Sequence, residues 1–313
     1  MAQILTVTPN AAIDRTLRVV QLRPGARHLV RSDHVQAGGK GINVARALAR
    51  LGARARALVV VGGATGEAIC RDLERAGLAP IAVRARGESR TCLEILDESS
   101  GLATQLHGRG VAADEQTAHE LIAAVAEQLA GVGWLALCGS LAPGMPDDTY
   151  ARLVDLAHAR RVPVALDASG PALRAAWRRG PDLLRVNREE VAEALGVDGA
   201  ALALPPPASC GDAGLSVVSD GRRPALAWLR AGARWSLTPP PVQVRNPIGC
   251  GDAMLAGLLA ALAAGRGTAD ALRFATALAA ADAESEVAGR PDPERARALE
   301  PQVRIEAFGG DAA

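Results

Sequence analysis

Short apolar runs, each closed by glycine or a small polar residue and each followed by residues at helical spacing, recur along most of this chain. Residues 4–7, 57–61, 134–138, 163–166, 183–186 and 217–218 are the runs, and their length and β-branched or leucine content predict strands. Between them, apolar positions three and four apart predict helices: one from the glycines at 38–41 to a stop at Gly52, one ending near Ala76, then 114–130, 147–160, near 171–178 and 268–284. A repeated strand, turn and helix implies a parallel sheet with right-handed crossovers.

Two stretches break that rhythm. Residues 14–36 alternate apolar and polar around Arg23-Pro24-Gly25, and residues 91–97 do the same before Ser99-Ser100-Gly101. Both are too polar for a core and would suit a lid, on a chain long enough for one large α/β domain, with or without a small annex, or for two. Runs at 225–229 and 235–237 read as an antiparallel pair turning at Ala231-Gly232-Ala233. Residues 203–210, with three consecutive prolines, are expected to be an irregular surface connection, and everything from Pro291 onward a surface tail. The parallel strands end in Thr8-Pro9-Asn10, Gly139-Ser140, Asp167-Ala168-Ser169-Gly170, Asn187 and Ser219-Asp220-Gly221. Such residues on one sheet edge form a polar cleft, the usual ligand position in open α/β sheets.

Composition narrows the function classes. Hydrophobic residues make up 49% of 313 positions but aromatics only 2%, so the core is built from alanine, leucine and valine. The apolar stretches 253–264 and 275–281 are too short for a membrane span, and no apolar leader follows a basic segment near Met1, so the expectation is a cytoplasmic chain with no membrane partner. A net charge of +1 offers no footprint for nucleic acid. Five cysteines without CxxC spacing argue against a disulfide framework or zinc site. Of 35 lysine and arginine residues, Lys40 is the single lysine. A position that kept an ammonium among guanidiniums is a candidate for needing a compact, flexible cation.

That lysine lies in Gly38-Gly39-Lys40-Gly41-Ile42-Asn43, a glycine-rich turn opening a helix. The spacing matches neither a P-loop nor a dinucleotide fingerprint. Near the other end, Asn246-Pro247-Ile248-Gly249-Cys250-Gly251-Asp252 leads into the uncharged helix 253–264. Its glycines let a ligand approach the main chain, and the free N–H groups of the first helical turn attract phosphate. Asp252 there either caps the helix or takes a proton from an attacking hydroxyl.

These two motifs, in order with Thr8-Pro9-Asn10-Ala11-Ala12-Ile13-Asp14, Gly139-Ser140-Leu141, Asp167-Ala168-Ser169-Gly170 and Asn187-x-x-Glu190, resemble the signatures of PfkB-type (ribokinase-like) sugar kinases over nearly the whole chain. The most similar branch holds 1-phosphofructokinase and tagatose-6-phosphate kinase, and Asn246-Pro247 leans toward the latter. The resemblance implies one domain spanning 1–313, a three-layer α/β/α sandwich with a mostly parallel central sheet and a small β-sheet lid from segments of about 14–36 and 88–107. It implies ATP-dependent phosphorylation of fructose-1-phosphate, fructose-6-phosphate or tagatose-6-phosphate. Asp252 would be the general base, with Gly249, Cys250 and Gly251 an anion hole. Asp14, Gly39 and Asn43 would hold sugar hydroxyls, and Lys40, Arg90 and Ser140 the phosphate already present. Asn187, Ser219 and Gly221 would lie along the nucleotide, and Glu190 would order Mg²⁺ through water. A homodimer through the lid is expected.

The chain departs from the family pattern in three places. Arg185 replaces a lysine before Val186-Asn187, Pro224 replaces a glycine of the nucleotide loop, and Ser89-Arg90-Thr91-Cys92 replaces the usual Thr-Arg-x-Asn. Alternatives consistent with the residues are a kinase of an unphosphorylated sugar or nucleoside, and a non-catalytic sugar-phosphate sensor.

Overall fold

The strand, turn and helix pattern becomes two sheets in the computed structural model, which describes residues 3–199, 202, 204 and 213–308. The expected connection at 203–210 lies outside the described residues except for Leu204. In chain order, β1 (Gln3–Thr8), β2 (Ala12–Val19) and β3 (Ser32–Gly38) precede α1 (Lys40–Arg50), β4 (Ala55–Val61), α2 (Gly63–Arg75) and β5 (Pro80–Arg84). Then come β6 (Arg90–Asp97), β7 (Ala103–His107), α3 (Glu115–Gln128), β8 (Val132–Cys138), α4 (Thr149–Ala159), β9 (Val164–Asp167) and α5 (Gly170–Trp177). They are followed by β10 (Leu183–Asn187), α6 (Arg188–Leu195), β11 (Leu215–Asp220), β12 (Arg223–Leu229) and β13 (Arg234–Thr238). The chain closes with α7 (Cys250–Ala263), α8 (Thr268–Ala283), α9 (Pro293–Leu299) and β14 (Arg304–Ala307).

The large sheet runs β14-β13-β12-β11-β10-β9-β8-β1-β4-β5, parallel from β11 to β5 and antiparallel from β11 to β14. Alternation along each strand sends its residues to two cores. Leu135, Leu137, Val164, Leu166, Leu184 and Val186 pack with α3 to α6 on one face. Smaller neighbours, Ala136, Cys138 and Ala165, meet α1 and α7 on the other. Small side chains there let the alanine-rich helices approach closely. A Cβ on Gly257 of α7 would lie 2.8 Å from the Cα of Ala275 in α8. Leu255, Leu258 and Leu259 are fully buried, each contributing about 1.5–3 kcal/mol of apolar burial.

The second sheet, β3-β2-β6-β7, is built from the two polar-alternating stretches. β2 pairs antiparallel with β3 and parallel with β6, and β7 turns back on β6.

Three elements differ from expectation. β5 begins with proline and sits at the sheet edge, where a missing N–H is tolerated. α6 is eight residues long and held by a capping box between Asn187 and Glu190, too short a helix for periodicity to reveal. The expected tail is structured: Ala296, Leu299 and Val303 are buried against α8, and β14 completes the sheet edge beside β13. Its charged residues masked that apolar spacing. No helix among the described residues is long and apolar enough to cross a membrane.

Candidate active site

The carboxyl ends of β1, β8, β10 and β11, the first turns of α1 and α7, and the small sheet enclose one cleft of about 1310 Å³. The candidate catalytic, sugar, nucleotide and metal residues named above all line it: Asp14, Gly39, Lys40, Asn43, Arg90, Ser140, Asn187, Glu190, Ser219, Gly221, Gly249, Cys250, Gly251 and Asp252. Crossover connections bring these residues together from opposite ends of the chain.

Gly249 is the N-cap of α7 and adopts a left-handed conformation with φ 89°. It has no side chain to occupy the N–H groups that follow, and no side-chain cap is present. Those N–H groups leave the first turn as a nest that could receive an anion. Asp252 is therefore not the cap. Its Oδ2 accepts from Asn43 Nδ2 at 2.9 Å, which fixes the carboxylate toward the cleft. Burial, then the charge of Asp167, pushes Asp252 up to about 7, with Lys40, Asn43 and Arg185 working against them. A carboxylate in that range suits general base work near neutrality. Burial, then Asp282, pushes the Cys250 thiol up to about 12, so it contributes its backbone and not a thiolate.

Beneath α7 lies a closed ion network. Asp167, fully buried, accepts from Lys40 Nζ at 2.5 Å and from Arg185 Nη1 at 3.0 Å. Lys40 also donates to Glu190 Oε1 at 2.5 Å, and Arg185 Nη2 to Ser219 Oγ at 2.8 Å. Burial alone would raise Asp167, but the two cations overcome it and hold the carboxyl below its ordinary value. Burial alone would lower Lys40, but Asp167 and Glu190 hold its ammonium above the usual range. The lone lysine, expected to face a phosphate, is thus tied between two acids. Arg185 takes the place of the expected lysine and presses on α7: a Cβ on Gly251 would run into its guanidinium.

Toward the small sheet, Asp14 and Arg90 flank the cleft. Burial raises Asp14, partly offset by Arg90. Arg90 Nε donates to Asn10 O at 3.1 Å, and Asn10 Nδ2 lies 3.4 Å from Ser140 Oγ. Asn10 Oδ1 and Thr8 Oγ1, both buried, have no hydrogen-bond partner among the described residues, although both residues line the cleft. Glu94 adds a second acid here. Its carboxylate accepts from Thr16 Oγ1 at 2.9 Å, and burial, then the charge of Asp14, pushes it up to about 7.

At the opposite end, Ser219 and Gly221 lead into the β11–β12 hairpin. Pro224 falls where the register between these strands shifts, so its missing N–H is not called on by the ladder. Each Glu190 oxygen is engaged once, Oε2 by Asn187 N at 2.8 Å in the capping box and Oε1 by the Lys40 ammonium. A carboxylate oxygen has two lone pairs, so both can still accept from the waters of a hydrated Mg²⁺. No cluster of three metal-ligating side chains occurs among the described residues. The donor set fits an ion held mainly by phosphates and water, not by a protein cage.

The sequence reading left four neighbours of the cleft without a role: Asn10, Arg46, Glu94 and, as a contact for α7, Arg185. Arg46 shares a helix with Arg50 but not its exposure. It is buried instead, donating to Ala37 O at 2.9 Å and reaching Asn43 Oδ1 at 3.3 Å. Asp72, from the next helix, supplies its counter-charge.

Known proteins resemble this chain along nearly its whole length. Residues 5–295 match the description "pfkB family carbohydrate kinase". A 1-phosphofructokinase of Rhodobacter capsulatus is 34% identical over 309 residues, covering 97% of each chain. The tetrameric inhibited form of phosphofructokinase-2 from Escherichia coli superimposes with a TM-score of 0.85 at 27% identity, over 96% of this chain and 99% of that one. A possible 1-phosphofructokinase from Thermotoga maritima shares the fold with a TM-score of 0.86 at 23% identity, over 98% and 100% of the two chains.

Proposed function

The chain belongs to the pfkB family of carbohydrate kinases, and from that premise we propose that it transfers the γ-phosphoryl group of ATP to a hydroxyl of a ketohexose phosphate, with Asp252 as general base. It is a phosphotransferase with an alcohol acceptor, and kinases of this family use ATP. Among fructose-1-phosphate, fructose-6-phosphate and tagatose-6-phosphate, the 1-phosphofructokinase relative favours the first.

One observation carries the reading. Asp252 is buried at the head of an uncapped helix, aimed by Asn43, with no structural use as a cap. The acceptor hydroxyl gives its proton to Asp252 as its oxygen attacks phosphorus. The N–H groups of Gly249, Cys250 and Gly251 bear the charge on the transferring group, and the leaving oxygen departs with ADP. Asp14, Gly39 and Asn43 orient the sugar, and Arg90 with Ser140 meets its resident phosphate. Lys40 neutralises Asp167 and Glu190, so an incoming polyphosphate does not face bare carboxylates. Asn187, Ser219 and Gly221 flank the nucleotide, and Glu190 orders Mg²⁺ through water. When bound, Mg²⁺ supplies charge neutralisation for the phosphates.

The test is ATP-to-ADP turnover with Mg²⁺ across the three sugar phosphates, free fructose, free tagatose, ribose and adenosine. Turnover is expected on one sugar phosphate. Asp252→Asn should lower kcat by at least ~10²-fold while sugar-phosphate binding persists, as loss of a general base implies. Near-full turnover in that variant removes Asp252 from the mechanism. A second reading, a kinase of an unphosphorylated sugar, is favoured by Glu94, whose acid beside Asp14 suits a hydroxyl better than a phosphate. Activity confined to the free sugars selects it.

Pairing of two chains through the small sheet is supported by its outer face. Val35 and Leu106, in register through Arg15 and Leu93, are about half exposed there. Val35→Glu should convert a dimer to a monomer in light scattering, and an unchanged mass rejects this interface.

A further inference from the structure

Gln36 stands on β3, directly across from Asp14 in the sheet register, and only 3% of it is exposed. Its side chain turns away from Asp14's strand toward the far end of the sequence. Nε2 donates to Ala288 O at 3.1 Å, and Oε1 accepts from Arg290 Nε at 3.1 Å. A primary amide can do both at once, whereas a carboxylate or an aliphatic side chain of that length cannot.

The loop it holds is the floor of the α7 nest. A Cβ on Gly249 would lie 2.8 Å from both Ala288 Cβ and Gly289 N, so the loop sits directly against the N-cap residue. A Cβ on Gly289 would lie 2.9 Å from Asn43 Cβ, so the same loop also backs the residue that aims Asp252. From the other side, Gly289 N approaches the buried Asp282 Oδ2 at 3.4 Å. A shift of this loop would displace the nest and Asn43 together. Gln36 joins it directly to the sheet that carries Asp14.

We propose that Gln36 is a positioning residue: it latches the 288–290 loop to the small sheet, so that the strand facing the sugar and the nest receiving the phosphoryl group keep one relative placement. The inference rests on the kinase reading for its rate consequence and on geometry alone for the mechanical link. Misplacement of reacting groups by a fraction of an ångström lowers the rate of the chemical step more than it weakens binding.

Gln36→Met keeps the length and removes both bonds; Arg290→Ala removes one from the other side. At saturating ATP and sugar phosphate, each should lower kcat roughly tenfold and leave KM for the sugar within about twofold, as a positioning defect predicts. The double variant should be no slower than the slower single one, because both act through one link. Amide hydrogen exchange over residues 246–252 should accelerate in Gln36→Met while that of β1 stays as in the wild type. Unchanged kcat with only a lower Tm, multiplicative rate losses, or unaltered exchange over 246–252 overturns the latch. If wild-type protein phosphorylates none of the sugars, the kinase reading fails, and the exchange measurement alone decides the latch.

Discussion

The two ends of the cleft treat charge differently. Beneath α7, Asp167, Lys40, Arg185 and Glu190 form a closed set in which each carboxylate has a cation and each cation a carboxylate. Toward the small sheet, Asp14 and Glu94 are both raised by burial, and Arg90 spends its Nε on a backbone carbonyl. The inner end is settled before a substrate arrives, which is what a site needs if it is to stabilise developing charge without reorganising. The outer end is less closed: Asn10 Oδ1 is buried there without a hydrogen-bond partner among the described residues.

The strongest way to break that contrast is to open the inner network. Asp167→Ala leaves the buried Arg185 and the partly exposed Lys40 without their shared partner, and should cost about 3–5 kcal/mol of stability in a denaturant titration, the usual result of removing one member of a buried ionic set. A loss well below that would mean the network is no more settled than the outer end. At the outer end, Arg90→Ala should leave Tm nearly unchanged and raise KM for the sugar phosphate roughly 10–100-fold, since a hydrogen bond to a charged group is worth about 1.5–3 kcal/mol. A smaller but more diagnostic effect lies in pH. Asp252, raised to about 7 by burial and by Asp167, must be ionised to accept a proton. It is therefore inactive when protonated below that value. kcat/KM should rise roughly tenfold per pH unit on the acid side and level off above, and Asp252→Asn should abolish this limb. A wild-type profile that stays flat from pH 6 upward would place the working base elsewhere.

Local pattern carried much of the architecture. The uncharged run 253–264 read as a buried helix and is one, as α7. The alternating stretches read as strands and form the small sheet. Side-chain periodicity belongs to a single helix or strand, so it survives in one dimension. Local pattern failed where burial and charge disagreed. Arg46, whose charge by itself suggests a solvent face, is received in the interior by Asp72 and the Ala37 carbonyl. The segment after Pro291 looked like a tail because its charges outnumber the buried Ala296, Leu299 and Val303.

By itself the sequence determined the order of elements, the two glycine-rich turns and the acid that follows the second. The tertiary structure decided what each charge faces. Lys40 meets Asp167 across 127 positions and Glu190 across 150, and Gln36 meets Ala288 across 252. No spacing rule spans such separations. The partners are chosen when the crossovers close, because a buried charge or amide must find its complement wherever the chain returns.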